Sequence, residues 1–164
     1  MSKIDVPMSK IDPYSRLQEL QIALPAAAVP LSTFVMAAQT ANLVFVSGHI
    51  ARKEGKPWVG QFGVNMSVEE GKLAARSVAI DLLATLQGFL GDLKRIERIV
   101  KLLCLVNSAP TFTEQHLVAN GCSELLIAVL GEAAGRHARS AFGTAQLPLG
   151  ACVEIELVAE VRSG

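Results

Sequence analysis

Charged side chains near the C-terminus have the types and spacing to bind a small acid. The segment 135–141 carries Arg139, and the segment 153–157 carries Glu154 and Glu156. Between them, Leu147 and Pro148 indicate a turn. A guanidinium group matches a carboxylate in two parallel hydrogen bonds, so an arginine beside carboxylates on an apolar sheet forms either an ion pair or a small-molecule site.

We predict that these two segments form an antiparallel hairpin turning at 147–148. In that register Arg139 lies opposite Glu156 and shares a face with Glu154, a diagonal neighbour about 7–8 Å away. Ala141 would leave room for a ligand between them. Two alternatives stay open on spacing alone: a structural pair of Arg139 with Glu156 at a subunit interface, or a ligand site between Arg139 and Glu154.

The composition favours a single folded domain that acts on small molecules. Fifteen Lys and Arg residues balance fifteen Asp and Glu residues among 164, and 51% of the chain is hydrophobic. Nucleic-acid-binding domains usually carry a basic excess, so nucleic acid is not an expected partner. No apolar run reaches the about 18 residues of a membrane helix, and no signal-peptide pattern is present. We therefore expect a cytoplasmic protein without a membrane association.

The cysteines and histidines do not indicate a metal or a disulfide framework. Cys104, Cys122 and Cys152 lie in apolar stretches without close spacing, which predicts three reduced thiols in the core. The three histidines lack metal-ligand spacing. We therefore expect no metal site.

Two long helices and several strands must position the charged groups. Ser67 and Glu70 form a capping box that begins a helix running to about Gln87, ended by Gly88, and a second helix begins at about 113 or 120 and ends at 130. A short helix after Asp12 is expected over 13–24. The remaining strands are predicted at 34–38, 43–46 and 99–106.

The strand at 99–106 indicates how the layers are arranged. It is apolar at both alternating positions, so both of its faces should be covered. The two helices can cover one face, and no third long helix is available for the other. The pattern predicts an α+β sandwich, a mixed sheet with two helices on one face, whose open face meets a partner subunit.

Several short motifs occur in the order and spacing of a known family: Val46-Ser47-Gly48, Gly91-Asp92-Leu93, Asn120-Gly121, Ala138-Arg139-Ser140, and Leu147-Pro148 with Glu154-Ile155-Glu156. From about Thr33 to Val161 the chain resembles the reactive intermediate deaminases, YjgF-like proteins also labelled L-PSP endoribonucleases, and is most similar to a longer branch. Residues 1–31 are then an N-terminal extension with a short helix, and 32–164 form a single YjgF-like domain.

The resemblance implies a chorismate-mutase-like fold and a homotrimer with clefts between subunits. It further implies hydrolysis of 2-imino or enamine acids to 2-oxo acids and ammonia, without metal or cofactor. Arg139 matches the arginine that binds the substrate carboxylate, and Glu154 matches the glutamate that positions the attacking water.

The other implied substrate-binding residues include two departures from the family pattern. Ser47, Gly48 and Asn120 match cleft residues. Phe34 stands where short members often carry tyrosine, and Ala141 stands where some carry cysteine. The missing hydroxyl at Phe34 bears on substrate range.

Two other functions remain open. A non-catalytic trimer that binds small carboxylates, with a regulatory role toward a partner as one option, would use Arg139 without needing Glu154. Ribonuclease activity or translation inhibition, suggested by a family label, is opposed by the balanced charge and the lack of paired histidines.

Overall fold

The computed structural model describes residues 11–30 and 33–162. Positions 1–10 and 31 of the predicted extension therefore lie outside the described residues. The helices are α1 (Pro13–Glu19), α2 (Val68–Leu90), α3 (Gln115–Leu130) and α4 (Glu132–Gly135). The strands are β1 (Ala37–Thr40), β2 (Leu43–Ile50), β3 (Arg52–Lys53), β4 (Lys56–Pro57), β5 (Ile96–Asn107), β6 (Ala138–Thr144) and β7 (Val153–Val161).

Five strands form one mixed sheet in the order β1-β2-β7-β5-β6. Every neighbouring pair is antiparallel except β5 and β6, which run parallel. The connection from β5 to β6 passes through α3 and α4, as a parallel pair requires a crossover. β3 and β4 form a separate small hairpin.

The helices pack on one face of this sheet and enclose the core. Alternate residues of β7 are buried on that side, including Val153, Ile155 and Leu157. They meet apolar side chains of α2 and α3, such as Leu82 and Leu126, which have no exposed surface. The arrangement confirms the predicted α+β sandwich with two long helices on one face.

α2 begins as predicted and ends three residues later. The Ser67 hydroxyl accepts from the Glu70 backbone N–H, and the Glu70 carboxylate accepts from the Ser67 N–H, which completes the capping box. The helix passes through Gly88 and ends at Leu90, because Gly91, with φ of 78°, provides the left-handed cap. α2 is also long and apolar enough to span a membrane, but 56% of its apolar window is buried inside the protein, as in a core helix.

The predicted strand at 34–38 is displaced. A two-residue turn at Ala41 and Asn42 pairs Thr40 with Leu43, and the ladder runs back only to Ala37. Residues 34–36 of the predicted strand lie outside this ladder because β2 bulges after Val46. The strand predicted at 43–46 extends through this bulge to Ile50.

The short helix α1 is part of the same packed unit. Asp12 caps it as predicted, but it ends at Glu19 instead of Leu24. Leu17 is buried in the main core, and the Arg16 Nε donates to the Ala128 carbonyl oxygen of α3 at 3.0 Å. These contacts attach the N-terminal segment to the helix layer.

The other face of the sheet carries exposed apolar side chains. Phe45 of β2 and Phe142 of β6 are 48% and 47% exposed. Leu103 and Val158 lie half-buried between them on β5 and β7. No helix in the described ranges covers this face. The predicted open face is therefore present, and apolar surface of this kind marks an interaction site.

Candidate functional site

Arg139 lies near the start of the edge strand β6, and α3 holds its side chain. Nη1 donates to Asn120 Oδ1 at 2.9 Å and to Ser123 Oγ at 3.0 Å. Nη2 donates to the His116 carbonyl oxygen at 3.2 Å. Positions 116, 120 and 123 follow the spacing of one helix face, so α3 lines up three acceptors beside the guanidinium.

The positive charge of Arg139 has no acidic partner in the part of the chain that the structure describes. Its three acceptors are an amide, a hydroxyl and a carbonyl, all neutral. An arginine has five N–H donors, and the described contacts use three. The Nε–H and one N–H of Nη2 remain without a described partner. These two donors can bind a carboxylate in two parallel hydrogen bonds.

Glu154 lies on β7, on the open face of the sheet, next to a bulge in β2. The register between β2 and β7 shifts between Val46 and His49, so Ser47 and Gly48 form the bulge. A Cβ built on Gly48 would lie 2.2 Å from Glu154 Oε1. The carboxylate therefore occupies space that only glycine at position 48 leaves open.

The environment of Glu154 favours a protonatable carboxylate. Burial raises the pKa of Glu154, and the like charge of Glu156 raises that pKa further. The described residues provide no hydrogen-bond partner for the Glu154 carboxylate. A carboxyl group with a raised pKa is a better general base than an ordinary glutamate, so Glu154 can take a proton from water.

The predicted hairpin of β6 with β7 is wrong, because β5 lies between the two strands. Arg139 is paired with Leu102, whose partner on β7 is Leu157, so Arg139 faces the helices. Glu154 and Glu156 belong to the opposite face. Arg139 and Glu154 are two strand spacings apart, about 10 Å across the sheet, and about 10 Å along it. One chain therefore brings neither glutamate to Arg139.

The remaining predicted site residues divide between these two places. Ser47 anchors the segment before β1, donating from its backbone to Met36 and from its hydroxyl to the Val35 carbonyl oxygen at 2.6 Å. Phe34, 51% exposed, lies in that same segment, which Ser47 ties to the β2 bulge. Ala141 packs against the core on the Arg139 side. The first half-site thus contains Arg139, Asn120 and Ala141, and the second contains Glu154, Gly48, Ser47 and Phe34.

Two histidines are held in hydrogen-bond networks. His49 is buried among the helices, with Nδ1 2.7 Å from the Ser47 carbonyl oxygen and Nε2 2.8 Å from Thr85 Oγ1. It therefore faces away from Glu154. His137 lies 3.0 Å from Ser123 Oγ, one of the acceptors of Arg139. Ser123 is not among the predicted site residues, although its three-residue spacing from Asn120 places both on one helix face.

Metal-binding chemistry is not indicated by the side chains that the structure describes. No group of three or more His, Cys, Asp or Glu residues is arranged to hold a metal ion there. Cys104, Cys122 and Cys152 are buried free thiols, which confirms the prediction made for them. Burial raises the pKa of Cys104 to about 12 and that of Cys152 to about 11, so both stay protonated at neutral pH.

Known proteins share this architecture along most of the chain. Protein TCP17 of Trypanosoma cruzi is 45% identical over 150 residues, which cover 91% of this chain and 94% of TCP17. The crystal structure of Atu1372, a protein of unknown function from Agrobacterium tumefaciens, is 42% identical and covers 92% of both chains with a TM-score of 0.84. A Shewanella oneidensis protein described as a "putative endoribonuclease" is 30% identical, covers 92% of this chain and all of its own, and has a TM-score of 0.87.

A family model covers nearly the whole described chain. The model described as "YjgF/chorismate mutase-like, putative endoribonuclease" matches residues 14–161, a range that includes all but the first residue of α1 and both half-sites. The match agrees with the resemblance carried by the sequence motifs and with the observed sandwich. The chain therefore belongs to the YjgF/chorismate-mutase-like family.

Proposed function

We propose that the protein hydrolyses 2-imino or enamine acids to 2-oxo acids and ammonia, in clefts between the subunits of a homotrimer. The observation that carries the proposal is the guanidinium of Arg139, which is held by neutral acceptors and has no acidic partner among the described residues. A half-buried cation of this kind is best satisfied by an anionic ligand. A small carboxylate fits its two remaining N–H donors.

The second chain supplies the base. Arg139 and Glu154 lie on opposite faces of one sheet, so a cleft that contains both needs two copies. The exposed apolar face around Phe45 and Phe142 provides a surface on which copies can pack. In the proposed trimer the first half-site of one chain meets the second half-site of its neighbour. Asn120 and Ala141 then lie on one side of the ligand, and Ser47, Gly48 and Phe34 lie on the other.

The reaction needs positioning and one base. Arg139 binds the carboxylate and orients the imine carbon, which is already electrophilic. Glu154 takes a proton from water as the water oxygen bonds to that carbon and the C=N electron pair moves to nitrogen. The proton then passes to the nitrogen and gives a carbinolamine. Transfer of the hydroxyl proton to the same nitrogen, again through Glu154, lets the C–N bond break, so that ammonia leaves as the C=O bond forms. The proposal requires no metal or cofactor, and we place the reaction in the cytoplasm.

The direct test is the release of 2-oxobutanoate and ammonia from 2-iminobutanoate that an amino acid oxidase generates in situ. We expect the wild type to accelerate release above the spontaneous rate. Arg139→Ala should lower kcat/KM by about 100-fold, because each charge-assisted hydrogen bond contributes about 1.5–3 kcal/mol. Glu154→Gln should lower kcat with little change in KM. Equal rates for the wild type and Arg139→Ala would overturn the proposal.

A second candidate is a trimer that binds small carboxylates without turnover. It is favoured by the completeness of the Arg139 half-site, whose hydrogen bonds all come from α3 of the same chain. Unchanged 2-oxobutanoate affinity in Glu154→Gln, with no imine turnover by the wild type, would establish it. The same preparations should be tested for RNA cleavage, since the S. oneidensis relative carries that description. Cleavage that copurifies with the protein and is lost in Arg139→Ala would favour a ribonuclease.

A further inference from the structure

His137, Ser123 and Arg139 form a continuous hydrogen-bonded chain from α4 to the proposed carboxylate site. His137 Nδ1 lies 2.7 Å from the Gly135 carbonyl oxygen, and its Nε2 lies 3.0 Å from Ser123 Oγ. Ser123 Oγ in turn accepts from Arg139 Nη1 at 3.0 Å. The chain ends at the guanidinium that binds the carboxylate in the proposed function.

The direction of each hydrogen bond follows from the groups involved. A carbonyl oxygen only accepts, so His137 carries its hydrogen on Nδ1. The Nε2 of the neutral ring is then an acceptor and takes the Ser123 hydroxyl hydrogen. With its hydrogen directed at His137, Ser123 Oγ presents lone pairs to Arg139. The neutral state of His137 therefore fixes the orientation of the hydroxyl that holds Arg139.

We propose that His137 and Ser123 are positioning residues for Arg139 and that they make carboxylate binding dependent on the protonation of His137. The inference rests on the proposed role of Arg139 in binding a carboxylate. A proton on Nε2 would turn this acceptor into a donor, so Ser123 could no longer direct its hydroxyl hydrogen there. It would also place a second cation close to the guanidinium.

The surroundings of His137 agree with a neutral ring. Burial lowers the pKa of His137, and the charge of Arg139 lowers that pKa further, whereas the bond to Gly135 opposes both. The other charged or titratable groups on the elements packed around it include the exposed His116, together with Lys101, Glu124, Glu132, Arg136, Cys104 and Cys122. Lys101 donates to Ser140, Glu132 pairs with Arg136, and burial keeps both thiols protonated.

The experiment measures the dissociation constant of 2-oxobutanoate by calorimetry between pH 5.5 and 8. It uses the Glu154→Gln background, so that titration of Glu154 does not contribute. We expect the affinity to fall as the pH falls and His137 gains its proton. His137→Gln, whose amide oxygen can accept from Ser123 but does not titrate, should keep the affinity at pH 8 and remove the pH dependence.

Variants of Ser123 test the same chain from its other end. Ser123→Ala should weaken binding about three- to tenfold at pH 8, as expected for the loss of one hydrogen bond to a charged group. The pH dependence should also become smaller. The double variant Ser123→Ala/His137→Gln should bind no more weakly than Ser123→Ala alone, because both changes act on one chain of hydrogen bonds. Ser77→Ala, a half-buried serine on α2, is the matched control and should bind as the background protein does.

Two failures can be told apart. If Arg139→Ala leaves 2-oxobutanoate binding unchanged, the proposed carboxylate site itself is wrong. If Arg139→Ala abolishes binding while Ser123→Ala and His137→Gln keep both the affinity and the pH dependence of the background protein, only the positioning role is overturned. Circular dichroism and thermal unfolding of each variant verify that it is folded before its binding is interpreted.

Discussion

At the scale of single residues, the ionisation of Glu154 should govern the proposed reaction. Burial and the neighbouring Glu156 both raise its pKa, so the carboxylate loses its basic form at a higher pH than an ordinary glutamate does. Activity should therefore fall on the acid side as the pH drops through this raised pKa. The acid limb of the profile of kcat against pH, measured at saturating substrate, reports that value for the enzyme–substrate complex.

Glu156→Gln removes the like charge and should lower the pKa of Glu154. We expect the acid limb to move to lower pH while the maximal rate stays close to that of the wild type. Glu160→Gln is the matched control, because Glu160 lies on the same face of β7 and pairs with Arg98. A limb that stays in place in Glu156→Gln, or that moves equally in both variants, would contradict this explanation.

Gly48→Ala tests the room that the β2 bulge leaves for the base. The added Cβ would overlap Glu154 Oε1, the flexible end of a side chain, so the carboxylate must rotate away while the strand stays in place. We expect kcat to fall about tenfold or more, since misplacing a base by about 1 Å is costly. The thermal unfolding temperature should change little. Wild-type kcat in this variant would show that the position of Glu154 is not critical.

The sequence identifies the residues that could do chemistry but not their mutual geometry. Arg139 and Glu154 are recognisable by type and by the motifs around them, and the apolar alternation of β7 places Glu154 on the open face correctly. The face of Arg139 is predicted wrongly because it depends on which strand pairs with β6. That choice is made by long-range packing, which leaves no local signal around position 139.

At the scale of elements, α3 serves both as a core helix and as the support of the arginine. Gly121 allows its close approach to α2: a Cβ there would lie 2.0 Å from the Lys72 carbonyl oxygen. Because that oxygen belongs to the backbone of α2, relieving the overlap would require a whole turn of α2 or of α3 to shift. The adjacent residues Asn120 and Ser123 would move with it.

Gly121→Ala should therefore reduce both stability and ligand binding. We expect a loss of about 2–3 kcal/mol in the free energy of unfolding, at the upper end for overpacked cores, and weaker binding of 2-oxobutanoate. Urea unfolding and calorimetry measure the two effects. Glu124→Ala, an exposed position on the same helix, should change stability by no more than about 0.5 kcal/mol. Equal stability of Gly121→Ala and the wild type would refute the close approach.

Elements with strong local signals are predicted best. The capping box at Ser67 and the helical spacing of apolar residues locate α2, yet Gly88 is a misleading stop because the left-handed cap is needed at Gly91. The link from β6 to β7 has the length and the proline of a hairpin turn. The residues of this link do not show that the chain passes β5 before it enters β7. β6 is already the edge strand of the sheet, parallel to β5, because the crossover through α3 places it there.

At the scale of the whole molecule, the proposed cleft makes a prediction about mixed assemblies. Arg139→Ala and Glu154→Gln should each be inactive alone. When the two are unfolded and refolded together, a cleft is intact if its Arg139 comes from a Glu154→Gln chain and its Glu154 comes from an Arg139→Ala chain. Random mixing in a cyclic trimer makes this true of about a quarter of the clefts, so about a quarter of the wild-type activity should return.

The mixing experiment requires that the exchange be verified. Native mass spectrometry of size-tagged variants should show trimers that contain both kinds of chain. Mixed trimers without recovered activity would mean that Arg139 and Glu154 do not act in one cleft across the interface. A monomer in dilute solution, measured by sedimentation, would contradict the proposed trimer itself.

The distribution of the two half-sites along the chain has a consequence for evolution and engineering. In the proposed cleft, the segment from α3 to β6 would supply Arg139 for the carboxylate, whereas β2 and the start of β7 would supply Glu154 and the surface opposite the ligand. Mutations could then alter one half-site without disturbing the other, because the two half-sites meet in a cleft only after the subunits assemble. Two diverged paralogues that co-assemble would thus create hybrid pockets whose substrate preference neither parent possesses.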